Sequence, residues 1–241
     1  MSPRQSIPSN EIHVWEIPLS SSPEAAFNLP CCLSPDELAR AARFHFPHHR
    51  SRWISAHRAL RQILAGYVSG CAAELRFVTN AHGKPALVAE APHLEFNLTH
   101  SEDLALLAIA EQDVGIDLEF VRGSCDWNRL ADRVFTAREW SQLEQLPPDE
   151  ERTRRCYELW TAKEAYIKAR GVGMSLPLRK FSVPLPDAGG VSGPVIDTGV
   201  GDGRSWFVRR IPTLSGYVAA YAYPSNDTVV QLIRWDSNGT R

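Results

Sequence analysis

A short segment with two acidic residues constrains this chain more than any other feature. Between residues 114 and 119, apolar residues alternate with small or acidic ones. A period of two is typical of a β-strand with one buried face, and it places Asp117 and Glu119 together on the other face. Such a pair is either a solvated strand edge or part of a binding site.

A long helix is predicted further along the chain, over residues 150–169, ending before Gly171. Glu164 and Lys168 are four residues apart, so they are neighbours on one helix face. As a surface ion pair they would contribute only about 0.2–0.5 kcal/mol. Lys163 falls on the apolar stripe, where an unpaired ammonium group is costly, so it needs a partner or a ligand.

If this strand packs against this helix, three carboxylates and two lysines converge. Carboxylate oxygens suit Mg²⁺, and amines beside a metal ion suit a phosphate group. The combination predicts phosphoryl-group transfer.

The composition narrows the class of protein. The chain has 241 residues, of which 44% are hydrophobic and 22% are charged, as in ordinary globular proteins. A net charge of −2 argues against a general nucleic-acid binder. The sequence contains no apolar run of about 18 residues or more and no basic-then-apolar leader, so we expect a soluble, cytoplasmic protein that does not engage a membrane.

The cysteine pattern favours reduced thiols over a disulfide framework or zinc site. Their number is odd, two are adjacent, and no pair has the Cys-x-x-Cys spacing. The cysteines are Cys31, Cys32, Cys71, Cys125 and Cys156.

One segment is strongly basic although the whole chain is slightly acidic. No acidic residue occurs between Glu37 and Glu74. The basic residues of this segment are Arg40, Arg43, His45, His48, His49, Arg50, Arg52, His57, Arg58 and Arg61. This distribution indicates a local anion site rather than a nucleic-acid surface.

The order of predicted elements indicates an α+β protein made of two similar sandwiches packed side by side. We predict a first half over residues 11–112 and a second half over residues 113–235, with flexible tails at 1–10 and 236–241. The Ser34-Pro35 pair predicts a helix start, and Pro47 is expected to end that helix. Residues 229–233 are expected to complete the second sheet, and the glycine-rich residues 187–204 to form a hairpin.

Four motifs in a fixed order carry a resemblance to a known family. They are His82-Gly83-Lys84-Pro85, Phe96-Asn97-Leu98-Thr99-His100-Ser101, Val114-Gly115-Ile116-Asp117-Leu118-Glu119, and Trp160-x-x-Lys163-Glu164-Ala165-x-x-Lys168. Together they resemble the 4′-phosphopantetheinyl transferases of the large, surfactin-synthetase-activating type. The resemblance runs from about residue 34 to residue 223.

The resemblance implies a pseudo-dimeric single chain that acts as a monomer, with coenzyme A bound in the cleft between two like halves. It implies that the phosphopantetheine arm moves to a serine of an apo acyl or peptidyl carrier protein, leaving adenosine 3′,5′-bisphosphate.

For the reacting centre, the resemblance implies that Asp117, Glu119 and Glu164 hold Mg²⁺ against the pyrophosphate. Lys168 would stabilise the leaving group. Glu164 would also accept the serine proton, directly or through a metal-bound water, and which carboxylate is the base stays open.

For coenzyme A, the resemblance implies a cradle for the 3′-phosphate formed by Arg40, Lys84 and His100. Thr99 stands where a serine is usual and keeps the hydroxyl. The full set predicted to bind coenzyme A is Arg40, Gly83, Lys84, Pro85, Asn97, Thr99, His100, Lys163 and Lys168. Arg58 is a further candidate, and Glu139 matches a family acid near the site or lies on a helix surface.

Two other classes of function remain as alternatives. A non-catalytic module that binds coenzyme A or a carrier protein would keep the basic cradle but lose a metal carboxylate or Lys168, and all are present. An unrelated Mg²⁺-dependent phosphohydrolase would use Asp117 and Glu119, but would need neither the Gly-Lys-Pro turn nor the Asn-x-Thr-His strand end.

Overall fold

The computed structural model describes residues 5–19, 32–68, 70–88, 93–123, 125–184, 194–197, 202–213 and 215–236. Helices and strands are mixed along this part of the chain, which confirms the α+β class. The helices are α1 (Pro35–Ala41), α2 (Pro47–Tyr67), α3 (Trp127–Val134), α4 (Ala137–Glu144) and α5 (Glu150–Arg170). The strands are β1 (Glu11–Pro18), β2 (Phe77–Thr79), β3 (Pro85–Leu87), β4 (Glu95–Ser101), β5 (Leu104–Ala110), β6 (Gly115–Phe120), β7 (Phe181–Ser182), β8 (Ile196–Asp197), β9 (Phe207–Ile211), β10 (Tyr217–Tyr223) and β11 (Val229–Arg234).

Two sheets form the centre of the molecule, and one 21-residue helix covers each of them. The first sheet has the strand order β11-β1-β5-β4, and α2 packs on its outer face. The second sheet has the order β6-β10-β9, and α5 packs on its outer face. The inner faces pack against each other through alternating residues such as Leu106 and Ala108 of β5 and Ile116 and Leu118 of β6. The result is a four-layer arrangement, helix-sheet-sheet-helix.

The last strand corrects one expectation. Residues 229–233 were predicted in the second sheet, but β11 pairs in parallel with β1, from Glu11 opposite Val229 to Glu16 opposite Arg234. Without this pairing, β1 would present one row of unpaired backbone groups to solvent. The chain therefore closes the first sheet with a strand from its C-terminal end.

Two residues of the predicted N-terminal tail contact the rest of the protein, and the flexibility of that tail stays a prediction. Ile7 is buried, and the amide of Gln5 donates to the carbonyl of Gly66 at 3.1 Å. Residues 1–4 and 237–241, and most of the glycine-rich segment predicted as a hairpin, lie outside the described residues.

The helix starts follow the capping residues. Ser34 accepts from the amide of Glu37, and the Glu37 carboxylate accepts from the amide of Ser34, a reciprocal capping box for α1. Pro47 does not end a helix as predicted, because it occupies the first turn of α2, where a missing N–H is tolerated. No helix of the described residues is long and apolar enough to cross a membrane.

Gly115 brings α5 against β6. A Cβ placed on Gly115 would lie 2.1 Å from the carbonyl oxygen of Ala165 and 2.2 Å from the amide nitrogen of Ala169. Only glycine permits this approach of helix backbone to strand backbone. Because Asp117 follows Gly115 on the same strand face, the last turns of α5 cover the predicted carboxylate pair.

Candidate active site

Alternate side chains of β4 hold β6 in place across the boundary between the two halves. The Asn97 side-chain oxygen accepts from the amide of Ile116 at 2.9 Å. The Ser101 hydroxyl accepts from the amide of Phe120 at 3.0 Å and donates to Glu119 Oε2 at 3.2 Å. Asn97, predicted to bind coenzyme A, therefore also holds the strand that carries both acids.

The centre of the site is formed by Lys168, Asp117 and Thr99. The Lys168 ammonium lies 2.5 Å from Asp117 Oδ1 and donates to Thr99 Oγ1 at 3.2 Å. The Thr99 hydroxyl in turn donates to Asp117 Oδ1 at 3.1 Å. Asp117 is buried, and its Oδ2 has no hydrogen-bond partner in the part of the chain that the structure describes. A buried carboxylate oxygen without a partner is unfavourable, so this atom is a candidate metal ligand.

The two other predicted carboxylates are close enough to Asp117 for their pKa values to respond. Burial and the charge of Asp117 raise the pKa of Glu119 to about 7. Burial and the same charge raise the pKa of Glu164, against the opposing effects of Lys168 and a Trp160 hydrogen bond. A bound cation would offset the repulsion that the charge of Asp117 exerts on Glu119 and Glu164.

The carboxylate oxygens of this site are of the type that Mg²⁺ binds, but they do not surround one common position for a metal ion. No group of three or more His, Cys, Asp or Glu residues in the part of the chain described here is arranged to hold a metal ion. The orphaned oxygen of Asp117 and the raised carboxyl pKa values favour a cation at this position. The Lys168 ammonium occupies the other oxygen of Asp117.

The site opens into a cleft of about 450 Å³ between the two halves. Residues 82–85 line one side, and residues 171–178 line the other with the apolar side chains of Met174 and Leu176. Glu164 and Lys168 also face this space. Such a cleft, apolar with a few converging charges, is typical of a site for a sizeable organic ligand.

The ammonium group of Lys84, predicted to bind a phosphate, already has partners. It donates to the carbonyl oxygen of Ala169 at 2.9 Å and lies 3.3 Å from Asp113 Oδ1 and 3.6 Å from Glu95 Oε2. Lys84 lines the cleft, but its ammonium group caps the end of α5.

His100 lies near basic side chains, a setting that suits an anion site. Burial lowers its pKa, and so do the charges of His57, Lys168, Arg52 and His49. The basic residues of α2 therefore lie near the end of the cleft at which Lys168 is located. An anion bound there would remove the repulsion between these groups.

Arg40 lies further from the reacting groups, exposed on α1. Its guanidinium carbon is 5.8 Å from the centroid of the Trp53 ring, which stacks on His57 at 3.8 Å. Arg58 is buried in α2 and is not among the described residues that line the cleft. His57 lies close enough to His100 to lower the pKa of His100.

Lys163 does not lie in the cleft, which corrects its placement among the cofactor-binding residues. It is fully buried, and its ammonium group contacts Glu139 Oε2 at 2.8 Å and the carbonyl oxygens of Leu178 and Phe181 at 2.8 and 2.7 Å. Glu139 is buried too, so it is not on a helix surface, and it also accepts from the amide of Val183. The Lys163–Glu139 pair joins α4, α5 and β7. A buried ammonium group is costly unless each of its three N–H donors has a partner, and these contacts supply those partners.

Sequence reasoning missed two residues of the site. Ser101 continues the alternation of Asn97 and Thr99, so the period of two could have found it. Trp160 was part of a motif but had no predicted role in the site, and it hydrogen-bonds to Glu164. That contact follows from their spacing of one helical turn, since residues four apart are neighbours.

Comparisons with known proteins agree with this geometry. The 4′-phosphopantetheinyl transferase superfamily matches residues 113–222. The chain is 42% identical over 177 residues to the 4′-phosphopantetheinyl transferase HetI of Nostoc sp., covering 72% of this chain and 74% of that protein. It is 33% identical to a putative 4′-phosphopantetheinyl transferase of Synechocystis sp., covering 86% and 80%. It is 32% identical to the 4′-phosphopantetheinyl transferase Sfp of Bacillus subtilis, covering 66% and 70%. This chain belongs to the 4′-phosphopantetheinyl transferase superfamily.

Proposed function

We propose that the protein transfers the 4′-phosphopantetheine arm of coenzyme A to a serine of an apo acyl or peptidyl carrier protein. The observation that carries this proposal is the Lys168–Asp117–Thr99 cluster, which lies beside two acids of raised pKa at the end of an open cleft. The relatives that are named as 4′-phosphopantetheinyl transferases support the same reaction.

In this reaction the serine oxygen bonds to the β-phosphorus of coenzyme A while the bond from that phosphorus to the bridging oxygen breaks. The bridging oxygen keeps the electron pair and leaves as part of adenosine 3′,5′-bisphosphate. The serine proton passes to Glu164 or to a water beside it. A raised pKa makes Glu164 a better proton acceptor than an ordinary carboxylate.

Magnesium, held by Asp117, Glu119 and Glu164, would supply Lewis-acid stabilisation of the charge on the pyrophosphate. Lys168 places a second positive charge at the same position, and Thr99 orients it. Asn97 and Ser101 keep β6 in register, so both of its acids point towards α5.

The non-reacting part of coenzyme A requires an anion site and an organic surface. The cations around His100 support binding of a phosphate group, and residues 82–85 with Met174 and Leu176 offer the organic surface. Three points stay predictions: that Arg40 binds the 3′-phosphate, that the protein acts as a monomer, and that it is located in the cytoplasm.

Mass spectrometry of an apo carrier protein tests the proposal. The protein is incubated with coenzyme A, Mg²⁺ and the carrier, and the carrier should gain one phosphopantetheine group. Asp117→Ala should remove the gain because the proposed metal ligand is lost. Circular dichroism should stay unchanged because no apolar core side chain is removed.

Other outcomes would contradict the proposal. Coenzyme A that binds without any mass gain on a panel of carriers would indicate a non-catalytic binding module. Coenzyme A that is cleaved in the absence of a carrier would indicate a phosphohydrolase.

A further inference from the structure

One turn joins the two walls of the cleft through the side chain of Asn80. Its oxygen accepts from the amides of His82 and Lys84 at 2.9 and 3.0 Å, which shapes the turn that leads to β3. Its amide nitrogen donates to the carbonyl oxygen of Gly171 at 2.8 Å. One side chain of the first half therefore sets the turn and also binds the end of α5 in the second half.

Lys84 adds a second bond at the same place. Its ammonium group donates to the carbonyl of Ala169, one of the last carbonyls of α5 that have no partner within the helix. We call Asn80, Lys84 and Gly171 the latch.

Gly171 fits closely between the two other members of the latch. It has a φ of +61°, and an added Cβ would lie 2.8 Å from Lys84 Cδ and 2.9 Å from Asn80 Nδ2. The left-handed backbone and the close approach both require glycine.

The position of the latch links it to the site. Gly83 and Pro85 line one wall of the cleft, and Lys168 belongs to the last turn of α5 on the other wall. If the turn and the end of α5 were not joined, their separation would vary, and only a fraction of molecules would present a complete cleft. The apparent affinity for a ligand falls in proportion to that fraction.

We propose that Asn80 is a positioning residue that sets the width of the coenzyme A cleft through its bond to Gly171. This inference rests on the proposed function only in naming coenzyme A as the ligand. The residue acts through the walls it joins and does not need to contact the cofactor.

The test uses Asn80→Ala, Gly171→Ala and the double variant. Titration calorimetry with coenzyme A alone should show about a tenfold weaker Kd for each single variant. The double variant should be little weaker than either single one, because both substitutions break the same contact. The KM for coenzyme A should follow Kd, while kcat stays within about threefold.

Asn80→Asp separates the latch from the local turn. An aspartate keeps the oxygen that accepts from His82 and Lys84, but it cannot donate to Gly171. It should therefore bind coenzyme A as weakly as Asn80→Ala, even at high salt, where the effect of the added charge on the phosphates is screened. Asn226→Asp adds the same charge in the turn after β10 and serves as the matched control, with unchanged affinity expected.

Three results would overturn the inference: additive effects in the double variant, wild-type affinity of Asn80→Asp at high salt, or wild-type affinity of Asn80→Ala. Binding by calorimetry does not require transfer. If the wild-type protein binds coenzyme A but modifies no carrier, the proposed function is contradicted. The affinities of the variants for coenzyme A would still test the role of the latch.

Discussion

Asp117 has hydrogen-bond partners at one carboxylate oxygen and, among the described residues, none at the other, and its charge acts on two neighbouring acids. Lys168 and Thr99 bind Oδ1, while Oδ2 is buried without a hydrogen bond to any described residue. Burial, and then the charge of Asp117, disfavour ionisation of Glu119 and Glu164 and raise their pKa values. In the metal-free protein, the folded state therefore prefers Glu119 protonated.

Glu119→Gln should stabilise the metal-free protein at high pH. The pKa of Glu119 rises from 4.5 to about 7 on folding, so its contribution to stability is lost as pH increases through that interval. At pH 8 in the presence of a chelator, the variant should gain up to about 3 kcal/mol in unfolding free energy, and at pH 5 much less. Urea unfolding at both pH values measures this. An equal gain at pH 5 and pH 8 would contradict the raised pKa.

Lys168→Ala should reduce turnover more than cofactor binding. A cation beside the bridging oxygen matters most when that oxygen carries developing charge, so kcat should fall on the order of 10²-fold or more. Coenzyme A binding by calorimetry should stay within a few-fold of wild type. Lost binding with preserved kcat would give Lys168 a purely positioning role, and no change in either would reduce it to a surface ion pair.

The residues of this centre were predictable from local patterns. Alternation placed Asp117 and Glu119 on one strand face, and helical spacing placed Glu164 beside Lys168. The partners of Lys84 were not predictable. Its bond to the carbonyl of Ala169 depends on where a helix ends 85 residues away, which no local pattern encodes.

At the scale of elements, two contacts hold α5 on β6 and a third holds it to α4. Gly115 allows the close approach to β6, Lys168 binds Asp117 near the C-terminal end, and Lys163 binds Glu139 in the middle. The apolar stripe of α5 predicted that Lys163 needs a partner, but the stripe could not identify that partner. Glu139 lies on another helix, where it also caps the amide of Thr136.

Lys163→Met should destabilise the fold rather than weaken cofactor binding. It would leave the buried Glu139 carboxylate without its counter-ion, which costs about 3–5 kcal/mol. Chemical denaturation measures the loss, with Lys180→Met at an exposed position as the control. If the folded fraction has a normal KM for coenzyme A, the role is structural. A raised KM with unchanged stability would return Lys163 to the cofactor site.

At the scale of the molecule, the two halves are joined by more than the apolar interface between their sheets. Side chains of β4 bind β6, the latch binds the end of α5, and β11 crosses back to pair with β1. The cleft lies beside the contacts of β4 with β6 and of the latch with the end of α5. The order of the predicted elements indicated two sandwiches packed side by side, but it assigned β11 to the wrong sheet. No local pattern encodes a pairing between two strands that lie so far apart along the chain.

The return of β11 predicts that the C-terminal strand matters for folding although it lies away from the cleft. A chain that ends after residue 228 would leave one edge of β1 unpaired and would remove the contact between Trp15 and Trp235, whose rings are 6.1 Å apart. An exposed strand edge invites pairing between molecules. We expect a lower unfolding midpoint and concentration-dependent aggregation by light scattering. A chain that ends after residue 236 keeps β11 and is the matched control, with wild-type behaviour expected. If the shorter chain unfolds at the wild-type temperature and stays monodisperse, the parallel pairing of β11 with β1 is not a structural requirement of this fold.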